Sequence, residues 1–162
     1  MVKIIGLIIG LLFGTTSMAH EQIGFKVNIP DSWKLVTYSA DDNLWAYESN
    51  DGNHRLTVSV LYYSKEPAHA QQRQFLDDFL KTRQEQSANI ATNVNFSEIA
   101  VQEHKSAWVA KYNETSPNGR IATTKAISSK IGIANFYLES FSTYESHEEV
   151  SNIILSTTGF AS

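Results

Sequence analysis

The spacing of apolar residues changes twice along the chain, and this change limits the possible folds more than any other feature. Phe25, Val27 and Ile29 alternate with polar residues, which is the pattern of a half-buried strand. Between residues 68 and 86, apolar residues instead recur every three or four positions, as on one face of a helix. Alternation returns after residue 96. The chain is therefore expected to fold as strands, one long helix, then more strands.

Turn signals divide the alternating parts into separate strands. Residues 44–49 and 55–63 flank the segment NDGN, and Asp-Gly between two such runs indicates a hairpin. Ser146 and Glu149 have the spacing of a capping box and predict a short closing helix. Most strands have short connections, which favours antiparallel pairing. These patterns predict an α+β fold: a mainly antiparallel sheet covered on one face by one long helix and a short C-terminal helix.

The first nineteen residues have the features of a signal peptide. Lys3 precedes ten uncharged, largely apolar residues at positions 4–13, and Ser17-Met18-Ala19 has the small-x-small form that a signal peptidase accepts. This apolar run is shorter than the roughly 20 residues that a membrane span needs. We therefore expect cleavage before His20 and a mature chain that is not an integral membrane protein.

Composition limits the mature chain to a few classes. Residues 20–162 have the length of a single domain. The 162-residue chain contains no cysteine, so export would produce no disulfide, and 13 basic against 17 acidic residues argue against nucleic acid as a partner. The predicted compartment is the periplasm of a Gram-negative bacterium, which the protein would enter as an exported protein.

Residues 24–33, GFKVNIPDSW, together with this order of elements, resemble the PsbP-like superfamily. The sharpest motif is Ile-Pro-Asp-Ser-Trp at residues 29–33, and the resemblance extends over residues 23–160. It implies a binding or accessory protein similar to the bacterial DcrB-like periplasmic proteins. Some similar proteins are chaperones for secreted toxins or periplasmic immunity proteins. The chain departs from its DcrB-like relatives because it has no cysteine that could carry a lipid anchor.

The sequence contains no recognisable catalytic motif. There is no Gly-x-Ser-x-Gly elbow, and the glycines are too scattered for a phosphate-binding loop. We therefore expect that the protein is not an enzyme and has no cofactor; a hydrolase with an unrecognised site ranks last among the hypotheses. The leading hypothesis is a non-enzymatic periplasmic binding protein, and its narrower form is an immunity protein that neutralises a toxin delivered into the periplasm.

Aromatic and acidic side chains are the candidates for partner binding. The predicted residues are Trp45, Tyr47, Tyr63, Asp41 and Asp42. Aromatic anchors dominate binding hot spots, although the same rings could instead fill the core beneath the helix. The overall acidity would steer a basic partner toward the protein. The expected partner is another protein.

The alternative hypothesis is a carrier of copper or of a small molecule. If cleavage follows Ala19, His20 becomes the mature N-terminus, and its amine and imidazole offer two nitrogen ligands to copper. A complete site would need a second histidine, His54 or His104. Because no compact pair of ligands is visible in the sequence, no metal site is assigned.

Overall fold

The computed structural model describes residues 25–160, so the expected signal peptide and His20 lie outside the described residues. Within this range the chain forms ten strands and two helices. In chain order they are β1 (Phe25–Lys26), β2 (Lys34–Ser39), β3 (Leu44–Glu48), β4 (His54–Tyr62), α1 (His69–Ile90), β5 (Asn95–Phe96), β6 (Ala100–His104), β7 (Ala107–Thr115), β8 (Ile121–Ser128), β9 (Gly132–Ser140), α2 (Tyr144–Thr157) and β10 (Gly159–Phe160).

Eight of these strands form one sheet. Its order is β2-β3-β4-β9-β8-β7-β5, and β6 pairs with β7 beside this path. Strands β1 and β10 form a separate two-stranded ribbon. All pairings among the described strands are antiparallel. The α+β class and the antiparallel sheet are therefore confirmed.

The NDGN segment forms the predicted turn between β3 and β4. Gly52 has φ of 71°, a conformation that glycine adopts without the steric cost of a side chain. The Asp51 carboxylate accepts hydrogen bonds from the Ser49 hydroxyl at 2.5 Å and from the Asn53 amide at 3.0 Å. These bonds favour the charged form and lower the pKa of Asp51 to about 2. The turn sets the register in which Glu48 faces Arg55.

The two helices pack on opposite faces of the sheet, which corrects the prediction that both cover one face. Successive side chains of β8 point to opposite faces of the sheet, and their hydrogen bonds show which helix lies on each face. Thr123 and Lys125 bond to α2 and its C-terminal end, whereas the Ser128 hydroxyl bonds to the Gln72 carbonyl in α1. Apart from Lys125, whose ammonium bonds at the end of α2, central strand β8 is apolar or hydroxyl-bearing on both sides, and this allows each face to receive a helix.

The long helix α1 covers β7 and β8. Its Leu76 and Leu80 are fully buried against Ala110, Tyr112 and Ala126. The helix continues to Ile90, whereas the polar composition of residues 87–93 predicted a loop there. Ser87 is buried in this last turn, so tertiary packing extends the helix beyond its apolar pattern.

The closing helix α2 begins earlier than predicted. Thr143 is its N-cap, and its hydroxyl accepts a hydrogen bond from the Ser146 amide at 3.3 Å. The capping box predicted at Ser146 and Glu149 is therefore wrong, because Thr143 offers an equivalent hydroxyl one turn earlier. At the other end, the Lys125 ammonium donates to the carbonyls of Leu155 and Thr158, at 2.6 and 2.9 Å. A cation there complements the helix dipole.

Candidate functional site

The predicted aromatic binding residues lie on both sides of the sheet. Trp45 and Tyr47 are buried in the core that α2 closes, and burial raises the pKa of Tyr47 to about 12. Tyr63 lies on the α1 side, where its ring contacts Phe75 with centroids 5.3 Å apart and its hydroxyl bonds to Ser128 at 2.8 Å. The three rings therefore contribute to two separate packed layers.

Asp41 and Asp42 occupy the exposed turn between β2 and β3. The Asp42 carboxylate accepts a hydrogen bond from the Ser39 hydroxyl at 2.7 Å. Both carboxylates are accessible, but the structure does not bring them together with Tyr63 on the opposite side of the sheet. The five predicted residues do not form one surface.

A chain of buried polar side chains crosses the core beneath α2. The Ser140 hydroxyl lies 2.7 Å from Nδ1 of His54 and 2.7 Å from Nδ1 of His147. On the far side, Nε2 of His147 lies 2.9 Å from the Thr123 hydroxyl, which donates to Asn113 Oδ1 at 2.7 Å. Sequence reasoning missed this chain because its histidines are 93 positions apart, at 54 and 147.

The direction of these bonds follows from the last one. Since Thr123 donates to Asn113, it accepts from His147 Nε2–H; His147 Nδ1 then accepts from Ser140, and Ser140 accepts from His54 Nδ1–H. His147 must therefore be neutral, whereas His54 Nε2 lies 3.3 Å from the Ser146 hydroxyl, which can donate to it or accept from it. Burial lowers the pKa of His54, and burial followed by repulsion from His54 and Lys111 lowers the pKa of His147 to about 4.

Ser140 and its two histidines resemble a nucleophile with its base, but their location argues for a structural role. The Ser140 side chain is fully buried, so no substrate reaches its hydroxyl in this conformation. The Ser140 hydroxyl already donates its hydrogen bond to His147 and accepts one from His54. The chain joins α2 to β4, β8 and β9 and satisfies polar groups that would otherwise be costly to bury.

A second buried polar cluster lies on the α1 side of the sheet. Glu114 is 1% exposed, and its Oε1 accepts from Arg120 Nη2 at 2.9 Å and from the Tyr137 hydroxyl. Arg120 also lies 3.4 Å from Glu139. Burial, then the hydrogen bond to Glu114, raises the pKa of Tyr137. Arg83 of α1 stacks on the Tyr137 ring at 5.5 Å. This cluster fixes the β7–β8 hairpin to β9 and α1.

A cavity of about 700 Å³ opens at one end of the sheet. We call it the end cavity. Three connections meet there: the segment before α1, the β6–β7 turn and the β8–β9 turn. Its lining comprises Glu66, Pro67, Ala68, His69, Gln72, Glu103, Lys105, Ser106, Ala107, Ser129, Lys130 and Ile131. Its size is within the range of small-molecule sites.

The N-terminus of α1 forms one wall of the end cavity. Ala68 is the N-cap, and its methyl group cannot accept a hydrogen bond from the first amides of the helix. The Gln71 side-chain oxygen Oε1 accepts a hydrogen bond from the Ala68 amide at 3.1 Å. The His69 ring stacks on Trp108 with centroids 5.1 Å apart, and Trp108 Nε1 donates to the His69 carbonyl at 3.1 Å. This wall is therefore held firmly on β7.

Gln72 is the buried polar side chain of this wall. It is 5% exposed; its Nε2 reaches the Pro67 carbonyl at 3.4 Å, while its Oε1 has no hydrogen-bond partner in the structure. A buried carbonyl without a donor costs free energy that a ligand donor would recover. Sequence analysis missed Gln72 because it is one of several glutamines on a largely polar helix.

The opposite wall carries positive charge on a strained turn. Lys105 and Ser106 have φ of 48° and 64°, so two consecutive residues with side chains adopt the left-handed conformation. Glu103 on this side lies 3.4 Å from His69 Nε2. Among residues 25–160, neither Lys105 nor Lys130 has a carboxylate within ion-pair distance. Two ammonium groups without an ion-pair partner, and the carboxylates of Glu66 and Glu103, therefore border the end cavity.

The described residues offer neither a metal centre nor a membrane span. No group of three or more His, Cys, Asp or Glu side chains in residues 25–160 is placed to hold a metal ion. His54 is committed to the buried chain, whereas His104 is exposed at the end of β6. No helix in the same range is long and apolar enough to cross a membrane.

Comparisons with known proteins establish similarity at the level of the fold. No protein-family model matches the sequence, and no curated protein matches it. Cyanobacterial PsbP from Synechocystis sp. PCC 6803 is similar in structure, with a TM-score of 0.63, 11% identity, and 86% of this chain and 88% of that chain covered.

Two further solved structures align with the chain. LpqN of Mycobacterium tuberculosis, described as involved in cell envelope biogenesis, has a TM-score of 0.52 at 14% identity, covering 83% of this chain and 81% of its own. The Ran-binding protein Mog1p of Saccharomyces cerevisiae has a TM-score of 0.47 at 9% identity, covering 85% and 90%. The element order, the eight-stranded sheet and the alignments with cyanobacterial PsbP and LpqN together show that the chain has a PsbP-like fold.

Proposed function

We propose that this chain is an exported, non-enzymatic binding protein that holds its ligand in the end cavity. The observation that carries the proposal is the Gln72 carbonyl, which is buried in the cavity wall without a donor. Export is supported by the short apolar run at residues 4–13 after Lys3. The opening motif at residues 29–33 supports grouping it with the DcrB-like periplasmic proteins.

The non-enzymatic part of the proposal is supported by how the reactive groups are used. Ser140, His54 and His147 bond to one another inside the core, and Glu114 is held by Arg120 and Tyr137. The reactive groups of these side chains therefore serve as hydrogen-bond partners inside the fold. The end cavity instead combines hydrogen-bonding groups with a rim that carries two lysines and two glutamates, which is a combination suited to the recognition of a polar molecule.

The chemistry of the cavity indicates the class of ligand. Lys105 and Lys130 would attract an acidic group, and the N-terminus of α1 favours negative charge at its wall. Glu66 and Glu103 in the same lining would instead attract a hydrogen-bond donor. The Gln72 carbonyl requires an N–H or O–H donor. We infer a small polar molecule that carries both an acidic group and a hydrogen-bond donor.

The test replaces Gln72 by leucine, with Gln74→Leu on the exposed side of α1 as the matched control. Native mass spectrometry would compare the two variants with the parent protein, each isolated gently from exporting cells. The parent and Gln74→Leu should carry an additional small-molecule mass. In Gln72→Leu, occupancy should fall about tenfold, the effect of losing one buried hydrogen bond.

Stability separates this role from a structural one. Gln72→Leu removes the unpaired Oε1 and also the long bond from Nε2 to the Pro67 carbonyl, so the free energy of unfolding of the ligand-free chain should change by less than about 1 kcal/mol. A larger loss of stability in the refolded, ligand-free variant would contradict the proposal. A bound mass that persists equally in Gln72→Leu would place the ligand elsewhere, and a co-purifying basic protein would favour the toxin-neutralising hypothesis.

A further inference from the structure

Strand β2 is an edge of the eight-stranded sheet. It pairs with β3 on one side, and no described strand lies on its other side. Its six residues, KLVTYS, contain no proline, and five of them are exposed. One side of its backbone is therefore available for pairing with another strand.

The exposed side chains of β2 are unusually apolar for such an edge. Leu35, Val36 and Tyr38 are 48%, 47% and 57% exposed. Natural edge strands are commonly protected by charges, proline, a β-bulge or a covering segment. The only charge in β2 is Lys34, at its first position. The one protective feature of β2 besides Lys34 is a β-bulge at Val36, which shifts the register between Leu35 and Thr37. Because of this bulge, Leu35 and Tyr38 lie on the same face of the sheet, opposite Tyr47 and Trp45, and both stay accessible.

We propose that β2 pairs antiparallel with β2 of a second copy of this chain, forming a symmetric dimer with one continuous sheet. The two-fold axis passes between Val36 and Thr37. In this register Leu35 faces the second copy's Tyr38, and Lys34 faces its Ser39. The symmetry repeats each contact, so a leucine–tyrosine pair forms on each side of the axis.

The charges on and next to β2 favour a second copy of this chain as the partner, and they favour this register. Within one chain, the Ser39 hydroxyl holds the Asp42 carboxylate at 2.7 Å. Placing Lys34 opposite Ser39 therefore brings its ammonium next to Asp42 of the other copy, twice by symmetry. The two Lys34 residues are then separated by about 17 Å along the strand, so they do not repel closely. The strand and the turn that follows it are therefore complementary to a second copy in charge.

Sedimentation over a range of protein concentrations, with protein purified from exporting cells, tests the dimer. The parent protein should show a concentration-dependent monomer–dimer equilibrium. Tyr38→Lys should weaken dimerisation at least about tenfold, since it puts two charges into the paired edge. Ile153→Lys, at a residue that is 51% exposed on α2, is the matched control and should leave dimerisation unchanged. A parent protein that remains monomeric at every concentration overturns the proposal.

Charge exchange tests the cross-strand ion pair. Lys34→Glu and Asp42→Lys should each weaken the dimer, whereas the double variant should restore it, because the two charges have changed places. Failure of the double variant to recover dimerisation, with both single variants weakened, overturns the register.

Engineered cysteines test the register directly, because the chain has no cysteine of its own. Leu35→Cys combined with Tyr38→Cys should form disulfide-linked dimers under mild oxidation, since directly opposed residues lie within reach of a disulfide. Lys34→Cys combined with Tyr38→Cys is out of register and should crosslink much more slowly. Equal crosslinking of both pairs would mean that β2 does not pair in this way.

Discussion

Replacing Glu114 by glutamine should lower the free energy of unfolding by about 3 kcal/mol, because it leaves Arg120 without its buried carboxylate. Glu114 is 1% exposed, and the Arg120 side chain is 15% exposed, so water can compensate little of the lost charge. The amide keeps the volume of the side chain, and the loss therefore comes from charge and hydrogen bonding. Equilibrium denaturation in urea at pH 7.5 would measure it.

Glu139 supplies the matched control, since it contacts the same arginine. It lies 3.4 Å from Arg120 and its side chain is 23% exposed. Glu139→Gln should therefore cost less than about 1 kcal/mol, as expected for a partly solvated pair. Equal losses in the two variants would contradict the assignment of Glu114 as the principal partner of Arg120.

A double variant shows how much of the loss arises from the charge left behind. Arg120→Met combined with Glu114→Gln removes the pair and should be clearly more stable than the sum of the single changes predicts. Strict additivity would mean that the two side chains stabilise the fold independently. In that case the network around Tyr137 would not act as one unit.

Local patterns were sufficient for the elements of this fold. The alternation from Leu56 to Val60 predicted a strand with one buried face, and Asp51-Gly52 predicted the hairpin before it. Both follow from rules that act over a few residues, namely the period of a strand and the conformational freedom of glycine. The α+β class then followed from the order of these elements.

The position of the helices depended on information that is not local. Strand β8 has polar residues on both of its sides, and the two sides differ in partner: Thr123 contacts His147, and Ser128 contacts Gln72. A strand buried on both faces does not show which helix covers which side. The prediction of a single covered face therefore failed at β8.

Almost none of the candidate site could be predicted from the sequence. The aromatic residues Trp45 and Tyr47 were selected for their chemistry, yet aromatic residues serve cores as well as interfaces, and these two are buried. Gln72 becomes notable only when its carbonyl is seen buried without a donor. The left-handed Lys105-Ser106 turn contains no glycine that would have marked it.

The buried histidines predict that the protein loses stability in mild acid. In the unfolded chain a histidine has a pKa near 6.5, whereas the folded pKa of His147 is about 4. Between these values the unfolded chain binds a proton that the folded chain does not, so the free energy of unfolding falls as the pH falls. His147 alone should contribute a loss of about 3 kcal/mol between pH 6.5 and 4. His54, whose pKa is also lowered, adds to the same trend.

The hydrogen-bond chain explains why protonation is resisted. A proton on Nδ1 of His147 would face the Ser140 hydroxyl, which already accepts from His54, so the serine proton would lose its acceptor. In the folded chain the turn carboxylate Asp51 stays charged throughout the window above pH 4, because its folded pKa is about 2. Stability changes in this window therefore report chiefly on the histidines.

Urea denaturation at intervals from pH 7.5 to 4.5 would measure this dependence, using His147→Gln and the exposed His104→Gln for comparison. His147→Gln should be less stable at pH 7.5, because it breaks the bond to Thr123, but its stability should vary less with pH. His104→Gln should retain the full slope of the parent. If His147→Gln retained that slope as well, protonation of the buried chain would not be the cause, and the acid sensitivity would have to arise from groups elsewhere in the fold.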